Sequence, residues 1–163
     1  MKNNNEVFFE SIVIKTQKKM FNYILRQTSN REDTEDILQS VYTSVYKRID
    51  KLDKERIESY LYRSAHNAIV NYYKKKKNNH VSFDDKYEIN FAQPIPIKEN
   101  NNKVLEYLDE LSLDYKHVIE LKYFQKKSYK EISSIIGKST KAVESLLIRA
   151  KNKLRKKIEG NKK

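Results

Sequence analysis

Residues 128–154 read SYKEISSIIGKSTKAVESLLIRAKNKL, and they decide the fold of the C-terminal part of the chain. Two amphipathic stretches flank Gly137 with the spacing typical of a helix-turn-helix. Ser128 and Glu131 form an S-x-x-E pattern, which predicts a capping box at the start of the first helix. Gly137 suits the left-handed residue that ends this helix. The alternative is a plain helical hairpin that packs into an ordinary bundle.

The second helix of this unit would turn a polar outer side toward DNA. Ser139 or Thr140 can cap its start. In a helix-turn-helix the second helix reads base edges in the major groove, and the first crosses the backbone. Arginine can read guanine, lysine can hold phosphate, and serine or threonine can do either. The outer side would carry Thr140, Lys141, Glu144, Ser145, Ile148, Arg149 and Lys151.

The composition points to a mostly helical protein. Two glycines and two prolines in 163 residues are too few for a turn-rich β architecture or a phosphate-binding glycine loop. The absence of cysteine excludes disulfides and cysteine zinc sites, and it fits a reducing cytosol. No apolar run approaches the roughly 20 residues that span a bilayer, and the N-terminus has no signal-peptide pattern. We therefore expect a cytoplasmic protein that does not insert into the membrane.

The charge is unevenly distributed along the chain. The formal net charge is +12, of which residues 1–79 contribute +6, residues 80–101 contribute −2 and residues 102–163 contribute +8. Two basic blocks therefore flank a slightly acidic joint. A polyanionic partner is the usual reason for such blocks.

The N-terminal half is expected to form three helices. Apolar residues recur at helical spacing in each, with a break left open near Thr16 in the first. Asn30 or Ser29 can cap the second. The helices are predicted over residues 6–28, 31–50 and about 58–77. The third would bury Leu61, Ala65, Ile69 and Tyr72, and its other side would show Arg63, His66, Asn67, Asn71 and Lys74.

Both prolines fall in residues 81–101, which have no helical period and are predicted to form an extended linker. Residues 102–163 then read as a short helix, a helix capped by Ser112, and the helix-turn-helix. The predicted fold class is all-α. It consists of two small helical domains, 1–80 and 102–163, joined by the linker.

The sequence matches no catalytic or metal-binding pattern. His66, His80 and His117 lie far apart, with no ligand spacing around them. Motifs for a phosphate-binding loop, a zinc protease helix and a nucleophile elbow are also absent. We therefore expect no catalytic site, metal ion, cofactor or small-molecule substrate.

Two longer blocks together resemble one known family. EDTEDILQSVYTSVYKRIDKL (32–52) with YLYRSAHNAIVNYYKKKK (60–77) resembles region 2 of the extracytoplasmic-function (ECF) subfamily of sigma-70 family RNA polymerase sigma factors. LDELSLDYKHVIELKYFQKKSYKEISSIIGKSTKAVESLLIRAKNKL (108–154) resembles their region 4. The order of the blocks, the size of the chain and the linker between them fit the same family.

The resemblance implies a promoter-specificity subunit of bacterial RNA polymerase without catalytic activity of its own. Residues 1–80 would bind core polymerase and open the minus-ten element, and residues 102–163 would read the minus-35 element as duplex DNA. The linker would pass through the polymerase near the path of the RNA. By family analogy an anti-sigma factor is a further candidate partner. The alternative is a stand-alone helix-turn-helix regulator that binds duplex DNA as a dimer.

The resemblance also assigns a polymerase contact to one helix. Glu35, Asp36 and Gln39 lie within about one turn, where the family meets the clamp helices of the polymerase. These residues suit a basic or amide-rich partner. Without the family, a solvated first turn that is favoured by the helix dipole is the better explanation for Glu35 and Asp36.

The minus-ten contacts carry over to the third helix: Tyr60, Arg63, Asn67, Lys74 and Lys75. Tyr60 stands where many members have tryptophan, and it still offers a smaller aromatic face for an unstacked base. Asn67 matches an asparagine near an extruded base, while Arg63 and the lysines 74–77 would hold phosphates. Tyr62 could stack or lie in the core. A solvated helix surface remains the alternative for the polar residues.

The minus-35 contacts carry over to the last helix, where one residue departs from the family. Many members have a basic residue at the position of Glu144. Glutamate repels phosphate but can accept a hydrogen bond from a cytosine amino group, so Glu144 either shifts specificity or faces a lysine and reads nothing. Arg149 matches a basic family position. Ile148 could pack on a thymine methyl group.

Overall fold

The computed structural model describes residues 1–78 and 102–160, which contain α-helices, short 3₁₀ turns and one π turn but no strand. The all-α prediction is therefore confirmed, and the described residues form two compact units. The linker predicted over 81–101 and the predicted domain boundaries at 80 and 101 lie outside the described residues. The helices are α1 Asn4–Thr28, α2 Arg31–Lys47, α3 Ile57–Asn78, α4 Asn102–Asp109, α5 Leu113–Ile119, α6 Tyr129–Ile136 and α7 Thr140–Gly160.

In the first unit, α1, α2 and α3 pack against one another. Each contributes apolar side chains at helical spacing, and burial of each such side chain contributes about 1.5–3 kcal/mol. Tyr23 of α1 meets Tyr62 of α3 edge-on at 5.2 Å between ring centroids. The core side chains include Met20, Tyr23, Ile24, Val41, Val45, Leu61, Tyr62, Ala65 and Ile69. This core fixes which side of α3 faces outward.

α1 is continuous through Thr16, so the break left open there does not occur. The Thr16 hydroxyl donates to the Ile12 carbonyl at 2.7 Å and lies 2.8 Å from the Tyr42 hydroxyl. A buried threonine inside a helix is tolerated when its hydroxyl is satisfied in this way. Burial raises the pKa of Tyr42, although the hydrogen bond with Thr16 acts in the opposite direction.

α2 begins at the predicted cap and ends earlier than predicted. The Asp33 backbone N–H donates to the Asn30 side-chain oxygen at 2.9 Å. The helix stops at Lys47 rather than near residue 50, and a 3₁₀ turn over Ile49–Lys51 follows. Ile49 is still buried, because the turn directs it back to the core. The helix predicted over residues 31–50 included Ile49, which belongs to this turn instead.

In the second unit, α7 packs against α4 and α5, and α5 continues into a π turn over Glu120–Phe124. Ser112 takes the N-cap position of α5, but its hydroxyl accepts no capping hydrogen bond there. The core side chains include Leu108, Leu111, Val118, Ile119, Leu121, Val143, Leu147 and Ala150.

The stretch 128–154 folds as the helix-turn-helix pattern predicts. The Glu131 backbone N–H donates to Ser128 Oγ at 3.2 Å, and the Ser128 N–H donates to the Glu131 carboxylate at 2.7 Å. Gly137 ends α6 in the left-handed region, with φ 71°. Its N–H donates to the Ser133 carbonyl at 3.0 Å. Only three residues then separate α6 from α7.

Candidate nucleic-acid interface

The outer side of α7 is exposed along its first turns. Ser139 Oγ accepts the Ala142 N–H at 3.1 Å and starts the helix. Val143, Leu147 and Ala150 are buried on the inner side, so residues out of phase with them must face outward. All seven residues predicted on the outer side are exposed, Lys151 included. The first six are here named the α7 surface: Thr140, Lys141, Glu144, Ser145, Ile148 and Arg149.

The side chains of the α7 surface do not pack into the core of the second unit. Ile148 is 54% exposed, so most of its side chain is open to a partner. Arg149 donates from Nε to the Ser145 carbonyl at 3.3 Å, so its guanidinium lies along the helix. Glu144 forms no ion pair within the residues that the structure describes, so it does not face a lysine there.

Two exposed tyrosines lie against lysines of the second unit, and sequence reasoning missed both contacts. Lys151 Nζ lies 5.3 Å from the centre of the Tyr123 ring, and a hydrogen bond to Tyr123 raises the pKa of Lys151. Lys122 Nζ lies 4.6 Å from the Tyr129 ring centre. Both tyrosines are about two-fifths exposed. The only signal in the sequence was a tyrosine on each side of the short loop before α6.

The outer side of α3 collects the residues predicted to contact separated bases. Tyr60, Arg63, Asn67 and Lys74 are separated by three, four and seven residues, which places them on one face. From Tyr60 to Lys74 this face spans about 21 Å at ~1.5 Å per residue. Arg63, Asn67, Lys74 and Lys75 are exposed, and Tyr60 is half-buried. We call this set, Tyr60, Arg63, Asn67, Lys74 and Lys75, the α3 surface.

Two neighbours on α3 lie in the core rather than on this surface. Tyr62 is almost fully buried against Tyr23, so its ring is not available to stack on a base. His66 was predicted on the outer side, but it is buried at the edge of the apolar stripe. The buried side of α3, which contains Leu61, Ala65 and Ile69, is wide enough to include His66 at its edge. The prediction for His66 was therefore wrong.

The lysine run that ends α3 is divided by contacts that the sequence did not indicate. The Tyr72 hydroxyl donates to the Asp33 carboxylate of α2. Lys76 Nζ lies 3.9 Å from the same carboxylate and 4.5 Å from the centre of the Tyr72 ring. Lys74 and Lys75 have no such partner among the described residues. Lys76 is thus held against the protein, and its two predecessors are left in solvent.

A polar groove runs along the outer side of α2. Glu35, Asp36 and Gln39 are all exposed, and Glu35 pairs with Arg31 at 3.1 Å. Asp36 and Gln39 line the groove, whereas Glu35 lies outside its lining. The groove has a volume of about 540 Å³ and is lined by Asp36, Gln39, Ser40, Thr43, Ser44, Lys47 and Arg48. It offers hydrogen-bonding groups and both signs of charge, with acid at one end and base at the other.

The described residues contain no cluster of three histidine, aspartate or glutamate side chains that could hold a metal ion. Within the same residues, every helix is either too short or too polar to cross a bilayer.

Both halves of the chain match models of one protein family. Residues 12–79 match the family described as Sigma-70 region 2, and residues 101–154 match the one described as Sigma-70, region 4. This chain belongs to the sigma-70 family. Because both regions are present in order, the chain is a sigma factor for transcription initiation by RNA polymerase, and a stand-alone regulator is not favoured. Sigma factors are generally initiation factors without enzymatic activity.

Curated relatives place this sigma factor in the ECF subfamily. The ECF RNA polymerase sigma factor SigM of Bacillus subtilis is 26% identical over 140 residues, which cover 83% of this chain and 86% of the relative. The RNA polymerase sigma factor SigZ of the same organism is 29% identical over 145 residues, or 85% of this chain and 80% of the relative. The matches span at least four-fifths of both relatives.

Solved structures share the fold of this sigma factor. The sigma factor RpoE from Bartonella quintana, determined with the anti-sigma factor NepR, aligns with a TM-score of 0.77 at 18% identity, covering 93% of this chain and 96% of that one. CnrH, determined with the cytosolic domain of CnrY, aligns with a TM-score of 0.70 at 20% identity, covering 93% of this chain and 88% of CnrH.

Proposed function

We propose that this sigma factor divides promoter recognition between two units. The α3 surface binds the separated strand of the minus-ten element, and the α7 surface reads the minus-35 element as duplex DNA. The α2 groove binds core RNA polymerase. The domain limits that go with this division are 1–80, a linker over 81–101, and 102–163.

The α3 surface supplies the groups that strand separation requires. Stacking of a base on an aromatic ring contributes about 1–3 kcal/mol, and Tyr60 offers a half-buried ring that the helix holds in place. The Asn67 amide can both donate to and accept from the edge of an extruded base. Arg63, Lys74 and Lys75 add the cations that follow a phosphate backbone.

The α7 surface supplies the groups that read paired bases. Arg149 can donate to guanine, and Ile148 can pack on a thymine methyl group. Thr140 and Lys141 lie in the first turn of the helix, where backbone N–H groups also favour phosphate, and the Ser145 hydroxyl adds a polar group in the second turn. A helix-turn-helix enters the major groove with this end of its second helix.

The α2 groove suits a helical partner of mixed polarity. Asp36 and Gln39 stand near its start, and Glu35 adds a second carboxylate beside them. An exposed polar groove on a core-packed helix gives a rigid template, because α2 is held on its other side by α1 and α3. Partner groups opposite Asp36 would be basic or amide-bearing.

The remaining parts of the proposal concern location and regulation. We place this sigma factor in the cytoplasm, where its polymerase works, and we assign it no catalytic activity. Because two structural neighbours were determined in complexes with an anti-sigma factor or with the cytosolic domain of a second protein, an anti-sigma factor is also proposed as a partner of this chain.

The exposure of all three surfaces on the two units is the observation that carries the proposal. It is tested by run-off transcription with core RNA polymerase on fragments of the source genome. We expect promoter-specific transcripts when the chain is added and none when it is omitted. A stand-alone regulator would instead elute as a dimer in size-exclusion chromatography and shift duplex DNA without polymerase.

A further inference from the structure

We infer that Glu144 makes the second unit select a cytosine within the paired element of its promoter. The inference rests on the proposed function, because Glu144 reaches a base only if the α7 surface lies in the major groove. It assigns a specificity-determining role to the one residue of that surface whose charge opposes DNA.

Within residues 1–78 and 102–160, the Glu144 carboxylate has no ion-pair partner. It is exposed on the α7 surface, one turn after Thr140 and one turn before Ile148. Lys141 lies three residues earlier, within reach for a helical ion pair, yet Glu144 forms no ion pair among the described residues. The carboxylate is therefore available to a partner outside the chain.

Helix energetics do not account for an acid at this position. The helix dipole favours carboxylates in the first turn, and its effect falls off beyond that turn. Glu144 is the fifth residue of α7 and thus begins the second turn. The other acid of this helix, Glu159, lies at its far end among basic residues. A solvated glutamate here would weaken phosphate binding through its charge and would not stabilise the helix.

Base chemistry then selects the partner. An ionised carboxylate only accepts hydrogen bonds, so in the major groove it needs an exocyclic amino group. Cytosine presents its N4 amino group there without an acceptor of its own. Adenine presents N6 beside the N7 acceptor, which would repel the second carboxylate oxygen. Guanine and thymine present acceptors, so cytosine is the base that fits Glu144.

The test uses the holoenzyme and a promoter chosen by transcription. The strongest genomic promoter is taken, and each base pair of its upstream paired element is replaced in turn. Transcript yield is measured for the wild type, Glu144→Gln and Glu144→Ala. Glu159→Gln serves as the matched control, since it removes the same charge from an exposed site on the same helix. Because both glutamates are exposed, all variants are expected to fold, which circular dichroism checks.

For the wild type, replacing one particular C·G pair should lower the yield about tenfold, as expected for loss of one good base contact. Glu144→Gln should shift the preference at that position toward adenine, because an amide can pair with N6 and N7 together. Glu144→Ala should show no preference there. Glu159→Gln should behave as the wild type.

Two results would overturn the inference while leaving the proposed function in place. The Glu144 variants could keep the wild-type preference at every position. They could also change the yield from all promoters by one common factor, which means that Glu144 acts only through phosphate repulsion. Failure of the proposed function looks different, because the wild-type chain would then produce no promoter-specific transcripts, and the inference would fall with it.

Discussion

At the scale of single residues, neighbouring side chains of the same type take different roles. Four lysines follow one another in residues 74–77, and the sequence alone treats them alike. Lys76 lies against the Tyr72 ring and near the Asp33 carboxylate, whereas Lys74 and Lys75 extend into solvent. The rotation of α3 places Lys76, and not Lys74 or Lys75, next to α2. The number of lysines in the sequence therefore overstates the number of cations that are available to phosphate.

The first prediction separates these lysines by the salt dependence of promoter binding. Lys75→Ala should reduce the slope of log K against log salt by about 0.7–0.9, the value for one lost phosphate contact. Lys76→Ala should leave the slope nearly unchanged, because its charge is already opposed by Asp33. Holoenzyme binding is measured at several salt concentrations. Equal changes in slope for both variants would contradict the different roles assigned to Lys75 and Lys76.

At the scale of elements, three local signals in the sequence were reliable, although the Ser112 hydroxyl accepts no capping hydrogen bond, and no signal in the sequence indicated the long-range contacts. The capping box at Ser128, the cap at Asn30 and the left-handed Gly137 all follow from a few adjacent residues, and all three are present. The contact between Asp33 and Tyr72 joins residues 39 positions apart, and it depends on how α2 and α3 cross. Helical periodicity does not fix that crossing, so the sequence could not predict it.

The edges of apolar stripes mark a second limit of sequence reasoning. Tyr62 and His66 stand at the border of the buried side of α3, where periodicity assigns a residue to either side equally well. The width of the stripe depends on the size of the partners on α1 and α2. The polar residues of the α3 and α7 surfaces are exposed, by contrast, whereas Tyr60 of the α3 surface is half-buried.

The second prediction concerns the turn between α6 and α7. Gly137 has φ 71°, and an added Cβ would meet no other atom of the described residues within 4 Å. Gly137→Ala should therefore destabilise the second unit by about 1–2 kcal/mol through backbone strain alone. Urea unfolding followed by circular dichroism measures this change.

The control for the turn is Gly160→Ala, which also adds a methyl group in open space but at the end of α7. Alanine favours a helix over glycine, so this variant should be neutral or slightly stabilised. If Gly137→Ala unfolds at the same urea concentration as the wild type, the turn does not need a left-handed residue.

At the scale of the whole molecule, two small basic units carry separate surfaces on rigid helices. The charge of each end suits a nucleic acid, and the polar α2 groove in the first unit suits a protein. Free in solution, each unit has a small core, so binding of partners should add to its stability. The roles of these surfaces stay predictions, and the family match identifies the chain that carries them as a sigma factor.

The third prediction tests the polymerase contact apart from DNA. Asp36→Lys reverses a charge in the α2 groove and should weaken binding to core polymerase at least tenfold, most strongly at low salt. Glu55→Lys makes the same reversal at an exposed site in a 3₁₀ turn and should bind as the wild type. Fluorescence anisotropy of labelled chain with core enzyme measures both. Equal weakening would indicate a general effect of charge.

The division of labour between α3 and α7 is tested most directly by comparing two forms of one promoter. One form is fully paired, and the other has its minus-ten segment held open by mismatches. Holoenzyme affinity for each is measured with the wild type, Asn67→Ala and Arg149→Ala, after core binding has been shown to be unchanged. The ratio of the two affinities reports how strongly the holoenzyme prefers separated bases.

Asn67→Ala should lower that ratio, because it removes a contact to a base that only the open form exposes. Arg149→Ala should weaken binding to both forms equally and leave the ratio unchanged, because the minus-35 element is paired in each. If Asn67→Ala weakens both forms equally, or if Arg149→Ala changes the ratio, the two surfaces do not divide the promoter between separated and paired DNA.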